Sequence, residues 1–204
     1  MSKQFWNDRY AQEDYVYGVA PNQFLESSLD LFPPKSKILC LAEGEGRNSA
    51  FLASHGHNIT AIDFSASGKI KAEKLAKENH VALDYIVTDI NDFDFGTNKW
   101  DAIISIFAHT DPATRQRTFK QSLQSLKPNG IFLLEAYHPN QLEMQYGTGG
   151  PKQIDWLILL NELDMAFAGQ DTILRKEYER EVNEGTFHSG KAFVTQFICR
   201  KKNS

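Results

Sequence analysis

Five short apolar runs, separated by helical stretches or brief polar connections, restrict the fold of this chain more than any other feature. KILCLA (37–42), NITAID (58–63), ALDYIVTD (82–89), WDAIISIFA (100–108) and IFLLEAY (131–137) have the length of strands covered on both faces. SAFLASHG reads as a helix that stops at Gly56. SASGKIKAEKLAKEN (65–79) reads as a helix capped by Ser65, and TRQRTFKQSLQSL (114–126) as one that runs into a Pro128-Asn129-Gly130 turn. Strand–helix–strand units of this kind require right-handed crossovers and a parallel sheet.

After Tyr137 the rhythm breaks. Residues 138–171 read as loop plus an apolar helix, DWLILLNELDMAF, whose stretch 156–167 faces either the core or a second copy of the chain. Monomer and homodimer both stay open. TILRKEYEREV (172–182) and KAFVTQFICRK (191–201) then read as two strands. NEGTFHSG between them is too short for a helical crossover, so the pair is expected to form an antiparallel hairpin at the sheet edge. The outcome is seven strands with only the last reversed. Ahead of the first strand, FWNDRY and NQFLESSLDLF read as a helical cap ended by Pro33-Pro34. The 204 residues are expected to form one domain: a cap (1–36), a core (37–137), and a following segment with the hairpin (138–204). Composition agrees, with 41% apolar and 24% charged residues. No run approaches a membrane span. A net charge of −4 disfavours nucleic acid as a partner. Cys40 and Cys199 lie in apolar runs and read as free buried thiols of a reducing cytoplasm.

The chemistry-bearing positions fall at strand ends. Glu43-Gly44-Glu45-Gly46-Arg47-Asn48 lies between the first strand and a helix, where glycines let a ligand approach the backbone and helix amides attract anionic groups. Asp63 ends the second strand nineteen residues after Gly44, where an acid can accept hydrogen bonds from a ribose diol. Asp89 ends the third strand, although TDIND also reads as a turn. Three such features share one sheet edge, the edge where ligands bind in doubly wound sheets. Glu135, a carboxylate inside an apolar run, needs a partner, and Arg9 or Arg47 is the expected one.

The chain resembles class I S-adenosylmethionine-dependent methyltransferases, most of all the small tellurite-resistance-type enzymes and more loosely the thiopurine methyltransferases. LCLAEGEGRNSAFLA stands at the first cofactor motif, AIDFS at the ribose position, TDI at the adenine position, and LKPNGIFLLEAY at the turn into the fifth strand. Trp6-Asn7-Asp8-Arg9-Tyr10, with Tyr17, resembles the thiopurine enzymes' aromatic lid. The resemblance implies an α/β, Rossmann-like three-layer sandwich with an N-terminal helical cap, S-adenosyl-L-methionine as cofactor and S-adenosyl-L-homocysteine as product. It implies cofactor contacts from Trp6, Tyr10, Tyr17, Glu43, Gly44, Gly46, Asn48, Asp63, Phe64, Ser65, Asp89, Ile90 and Ile106. Two positions depart from the family pattern. Cys40 stands for an acid, leaving Glu43 or Glu45 to hold the cofactor's ammonium, and Ala42 stands for a glycine, which alanine replaces freely only at negative φ.

Methyl transfer needs alignment and exclusion of water more than a catalytic triad or a metal. His109, after the fourth strand, and His188, in the hairpin, are the candidates to orient or deprotonate an acceptor. The expected partner is a small-molecule acceptor, with a thiol, a chalcogen or a metalloid oxyanion among the options, and no nucleic acid, membrane or metal. Two other readings use the same first βαβ unit: an NAD-dependent oxidoreductase, and a non-catalytic S-adenosylmethionine-binding regulator.

Overall fold

The computed structural model describes residues 2–185 and 187–203. Its sheet has the order β3-β2-β1-β4-β5-β7-β6. The strands are β1 (Lys37–Leu41), β2 (Asn58–Asp63), β3 (Asp84–Val87), β4 (Trp100–Ile106), β5 (Leu126–Tyr137), β6 (Asp171–Asn183) and β7 (Ser189–Arg200). β1 to β5 pair in parallel, and β7 runs antiparallel to both β5 and β6, so β7 alone is reversed, as expected. The order turns back between β1 and β4, which opens a crevice beyond their carboxyl ends. The helices are α1 (Lys3–Tyr10), α2 (Gln23–Ser27), α3 (Arg47–Ser54), α4 (Ala66–Glu78), α5 (Pro112–Ser125), α6 (Asn140–Glu143) and α7 (Leu160–Ala166). Among the described residues, none is long and apolar enough to cross a membrane.

Both faces of the sheet are covered, which is why its strands read as unbroken apolar runs. Alternate residues of β1 feed two cores. Leu39 and Leu41 pack with Ile103, Phe119, Phe132 and Leu163, on the side of α5 and α7. Ile38 and Cys40 pack with Phe24, Leu25, Leu52 and Ile104, on the side of α2 and α3. Cys40 and Cys199 are both free and buried.

The structure departs from the sequence reading where tertiary partners outcompete local pattern. β4 stops at Ile106, before the expected 108, because Phe107 turns to φ 51. β5 starts at Leu126, which pairs with Trp100 across a register shift, and not at Ile131. The expected apolar helix 156–167 is broken. The chain is extended at Leu157 and Leu159, the Ile158 amide donates to the Tyr137 carbonyl (2.9 Å), and its carbonyl accepts from the Thr195 hydroxyl (2.6 Å). Only Leu160–Ala166 remains helical, with Leu160 and Leu163 buried. The hairpin forms as expected, although Thr186 in its connection lies outside the described residues.

Glu135, on β5, is wholly buried, and its partner is neither Arg9 nor Arg47. Arg180 of β6 pairs with it (Nε to Oε1, 2.9 Å), while Asn22 Nδ2 and Gln196 Nε2 donate to its two oxygens (2.5 and 2.7 Å). Arg180 also reaches Glu184 at 3.1 Å, Asn22 donates to Glu184 at 2.8 Å, and Arg47 of α3 closes the network on the other oxygen of Glu184. Burial pushes the Glu135 carboxyl up, against the pull of Arg180 and the two amides. The network joins the cap, α3, the sheet and the hairpin. Replacing Arg180 with Met strands a buried carboxylate, and urea denaturation is expected to show a loss of about 3–5 kcal/mol. A loss below about 1 kcal/mol, the scale of an exposed pair, would show that the network does not anchor the hairpin.

Candidate functional site

A cavity of about 560 Å³ lies beyond the carboxyl ends of β1 to β5, roofed by α1 and by the loop around Gly150–Gln153. Its floor is acidic. The turn after β1 bends back so that Glu43 Oε1 accepts the Ser49 amide of α3 (2.7 Å), satisfying one of the orphan donors at that helix start. Enclosure by protein pushes the Glu43 carboxyl up to about 7, against that hydrogen bond. Asp63, at the end of β2, accepts the Gly44 amide (3.1 Å) on one oxygen and the Ser65 amide (2.8 Å) on the other. Burial pushes it up to about 6, against those amides. Neither acid has a cationic partner among the described residues. Glu45 faces away from this pair. It binds Lys71 Nζ (2.8 Å) and accepts the Val16 and Tyr17 amides (2.9 and 3.3 Å), which straps residues 14–17 over α4. Gly44 is indispensable here, since at φ 62 any Cβ would meet the Tyr10 hydroxyl at 2.7 Å.

The opposite wall is aromatic. Trp6 stacks on Tyr10 (ring centroids 5.3 Å apart), and Tyr17 abuts the His188 ring at 4.5 Å. Phe107 lies 4.7 Å from both Tyr137 and His188. A bulky residue at φ 51 is a genuine outlier, and Phe107 is held there by the hydrogen bond that its N–H donates to the Glu135 carbonyl (2.7 Å). His188 Nδ1 sits 4.0 Å from Glu184 Oε2. Burial pushes the His188 imidazole down while Glu184 pulls it up. Burial would raise Glu184, but His188 and Arg47 beside it bring its carboxyl down to about 2. His109 differs. Its Nδ1 meets the Trp156 carbonyl (3.2 Å), and its Nε2 accepts the Tyr137 amide (3.3 Å). That pairing requires the neutral Nδ1–H tautomer. Burial also pushes the ring down to about 4.

Known proteins are similar to this chain in sequence over its core and in fold. Residues 38–130 match the model of a methyltransferase domain. A ubiquinone biosynthesis O-methyltransferase of Rickettsia canadensis is 31% identical over 116 residues, 56% of this chain and 48% of that protein. This chain is thus similar to methyltransferases over its parallel core, residues 38–130. It spans about half the length of the curated relatives it matches. Two solved structures superpose on nearly all of it. TehB from Haemophilus influenzae gives a TM-score of 0.74 at 17% identity, over 98% of this chain and 67% of that one. The N-methyltransferase NodS from Bradyrhizobium japonicum, in complex with S-adenosyl-L-homocysteine, gives 0.73 at 14% identity, over 98% of each chain.

The cavity gathers most of the residues singled out in sequence. Trp6, Tyr10, Tyr17, Glu43, Gly44, Asn48, Asp63, Phe64, Asp89, Ile90, Ile106, His109 and His188 all line the cavity. Gly46 and Ser65 do not. Gly46, at φ 85, starts α3 where a Cβ would meet the Ala72 Cβ at 2.5 Å, and Ser65 caps α4 by accepting the Gly68 amide. Asp89 is exposed at the mouth and also closes a turn on the Asn91 amide (2.8 Å). Phe107 and Tyr137, at the ends of the fourth and fifth strands, also line the cavity, whereas Glu184 backs His188 without a local sequence signal and owes its place to long-range packing. Ala42 does not meet the condition for replacing glycine freely: it lines the cavity at φ 48. That conformation strains an L-residue, so Ala42→Gly is expected to raise stability by roughly 0.5–1 kcal/mol, read as a higher denaturation midpoint with an unchanged slope. An unchanged or lower midpoint would mean that the turn holds alanine without strain.

Proposed function

We propose that the chain binds S-adenosylmethionine in this cavity, as a single unit of cap, core and hairpin, and moves its methyl group to a small acceptor. The observation that carries this reading is the pair of enclosed carboxylates, Glu43 and Asp63, with raised pKa values and no cation of their own. Such a floor calls for a ligand that brings positive charge and hydroxyl donors. Glu43 suits an ammonium, standing in for the acid that Cys40 replaces, because Cys40 is buried in the core and Glu45 is spent on Lys71. Asp63 suits a ribose diol, and Ile90 and Ile106 offer apolar contact to a flat ring.

When bound, the cofactor supplies an electrophilic methyl on a sulfonium sulfur, which keeps the C–S electron pair as the methyl passes to the nucleophile. The chain's own residues hold the reactants in line and keep water out. α1 and the loop around Gly150–Gln153 roof the cavity and Tyr17 lines it, so Trp6, Tyr10 and Tyr17 exclude solvent. Phe107, Tyr137 and His188 form the wall that an acceptor would face. His188, backed by Glu184, is the group suited to take an acceptor proton. His109, with both nitrogens on main-chain groups, serves as a positioning residue that fixes the end of β5. A thiol, a chalcogen or metalloid nucleophile, and an oxygen nucleophile of the kind that the Rickettsia O-methyltransferase's name implies for that protein would all need this geometry.

Calorimetry is expected to show binding of S-adenosylhomocysteine and none of NAD. Asp63→Ala should weaken that binding by about 1–3 kcal/mol, the scale for unpairing a charged hydrogen bond. NAD binding without S-adenosylhomocysteine binding would overturn the reading in favour of an oxidoreductase. Against a panel of thiol, phenol and metalloid acceptors, His188→Ala should lower methyl transfer while leaving cofactor affinity intact. Binding with no turnover on any acceptor would favour a regulator.

A further inference from the structure

Three arginines near the core are matched to carboxylates: Arg47 to Glu184, Arg115 to Glu162, and Arg180 to Glu135. Arg9, half-buried on α1 and lining the cavity, is not. Its guanidinium lies over the rings of Phe5, Trp6 and Phe187, at 4.6, 5.4 and 5.0 Å from their centroids. Of its five N–H donors, one is used, from Nη1 to the Tyr17 hydroxyl (2.9 Å). No carboxylate lies within ion-pair distance among the described residues.

From this geometry we infer that Arg9 is the anion-recognition residue of the acceptor site, and that the acceptor is a small, flat, apolar molecule bearing a carboxylate. The inference rests on the methyltransferase reading of the same cavity and deepens it. A planar guanidinium with free N–H groups matches a carboxylate in two-point geometry, and stacking on aromatic rings holds it ready at little entropic cost. The cavity is polarised to suit. Glu43, Asp63 and Asp89 lie on the side assigned to a cationic cofactor. Arg9, with the exposed Lys152 of the roofing loop, supplies positive charge without a protein counter-ion. The spacing also fits. Arg9 meets the hydroxyl of Tyr17 and His188 abuts the ring of the same Tyr17, so one phenol separates the anion site from the imidazole. An acceptor one ring wide spans the two. Phe5 and Phe187, 39% and 43% exposed, leave apolar surface at the mouth beside the cation, where such a molecule would slide in.

The test uses probes that cannot be methylated at a thiol or phenol. The full chain is first saturated with S-adenosylhomocysteine, and that binding step by itself decides the methyltransferase reading. Phenylacetate and the uncharged phenylacetamide are then titrated into the loaded protein. Phenylacetate should bind at least tenfold more tightly. Arg9→Gln should bring the ratio close to one with S-adenosylhomocysteine affinity unchanged, and Arg9→Lys, which keeps the charge, should restore part of it. Equal affinities in the unmodified protein, no binding of either probe, or a preference that survives Arg9→Gln but is lost in Lys152→Gln would each overturn the inference.

Discussion

A buried carboxylate on β5 organises much of this structure. Glu135 would be costly without partners, and the partners come from everywhere except its own neighbourhood in sequence: Arg180 from β6, Gln196 from β7 and Asn22 from the cap. Through Arg180 and Asn22 the charge passes to Glu184, and through Glu184 to Arg47 at the start of α3. The same Glu184 backs His188. One contiguous set of polar contacts thus sets the hairpin against the sheet, seats the cap, fixes the helix that follows the glycine turn and orients the imidazole on the cavity wall. Because these groups are buried together, their effects should be strongly non-additive on mutation.

The cavity inherits its character from that arrangement. With Arg47, Arg180 and Lys71 all committed to carboxylates elsewhere, no cation among the described residues lies within ion-pair distance of Glu43 or Asp63 on the floor. With the hairpin held close, Tyr17, Phe107, Tyr137 and His188 pack into one aromatic wall. Acidic floor and aromatic, partly basic mouth are two consequences of how the fold has spent its other charges. The strain at Phe107 and Ala42, both on the cavity lining, fits the tendency of functional sites to hold unfavourable backbone that the surrounding structure enforces.

The parallel core was legible in sequence because each strand is covered on both faces and so reads as a continuous apolar run. Asp63 was legible because strand-end position and spacing from Gly44 are local facts. What could not be read was set by distance. Helix 156–167 has an apolar pattern throughout, yet Ile158 bonds across the end of β5, and no periodicity announces that. TILRKEYEREV alternates charge like a solvated strand, which hid Arg180 as the partner of Glu135. Gly46 sits inside the glycine motif and belongs to a helix start instead, because turn geometry and ligand contact use the same residue types, while Ser65 keeps the capping role that its position suggests and not the ligand contact. His109 looked like a free imidazole at a strand end, and only the fold shows both nitrogens taken by the backbone.

The central claim is that two uncompensated acids await a cationic, hydroxyl-bearing cofactor, and proton linkage tests it most directly. Glu43, at about 7, and Asp63, at about 6, hold protons in the free protein as pH falls through that range. A ligand that needs them ionised must expel those protons and must bind less well at lower pH. Calorimetric titration of S-adenosylhomocysteine at pH 6.5, in buffers of different ionisation enthalpy, should therefore show net proton release, with affinity falling from pH 8 to pH 5. Binding with no proton exchange, and with one affinity across that range, would contradict the account.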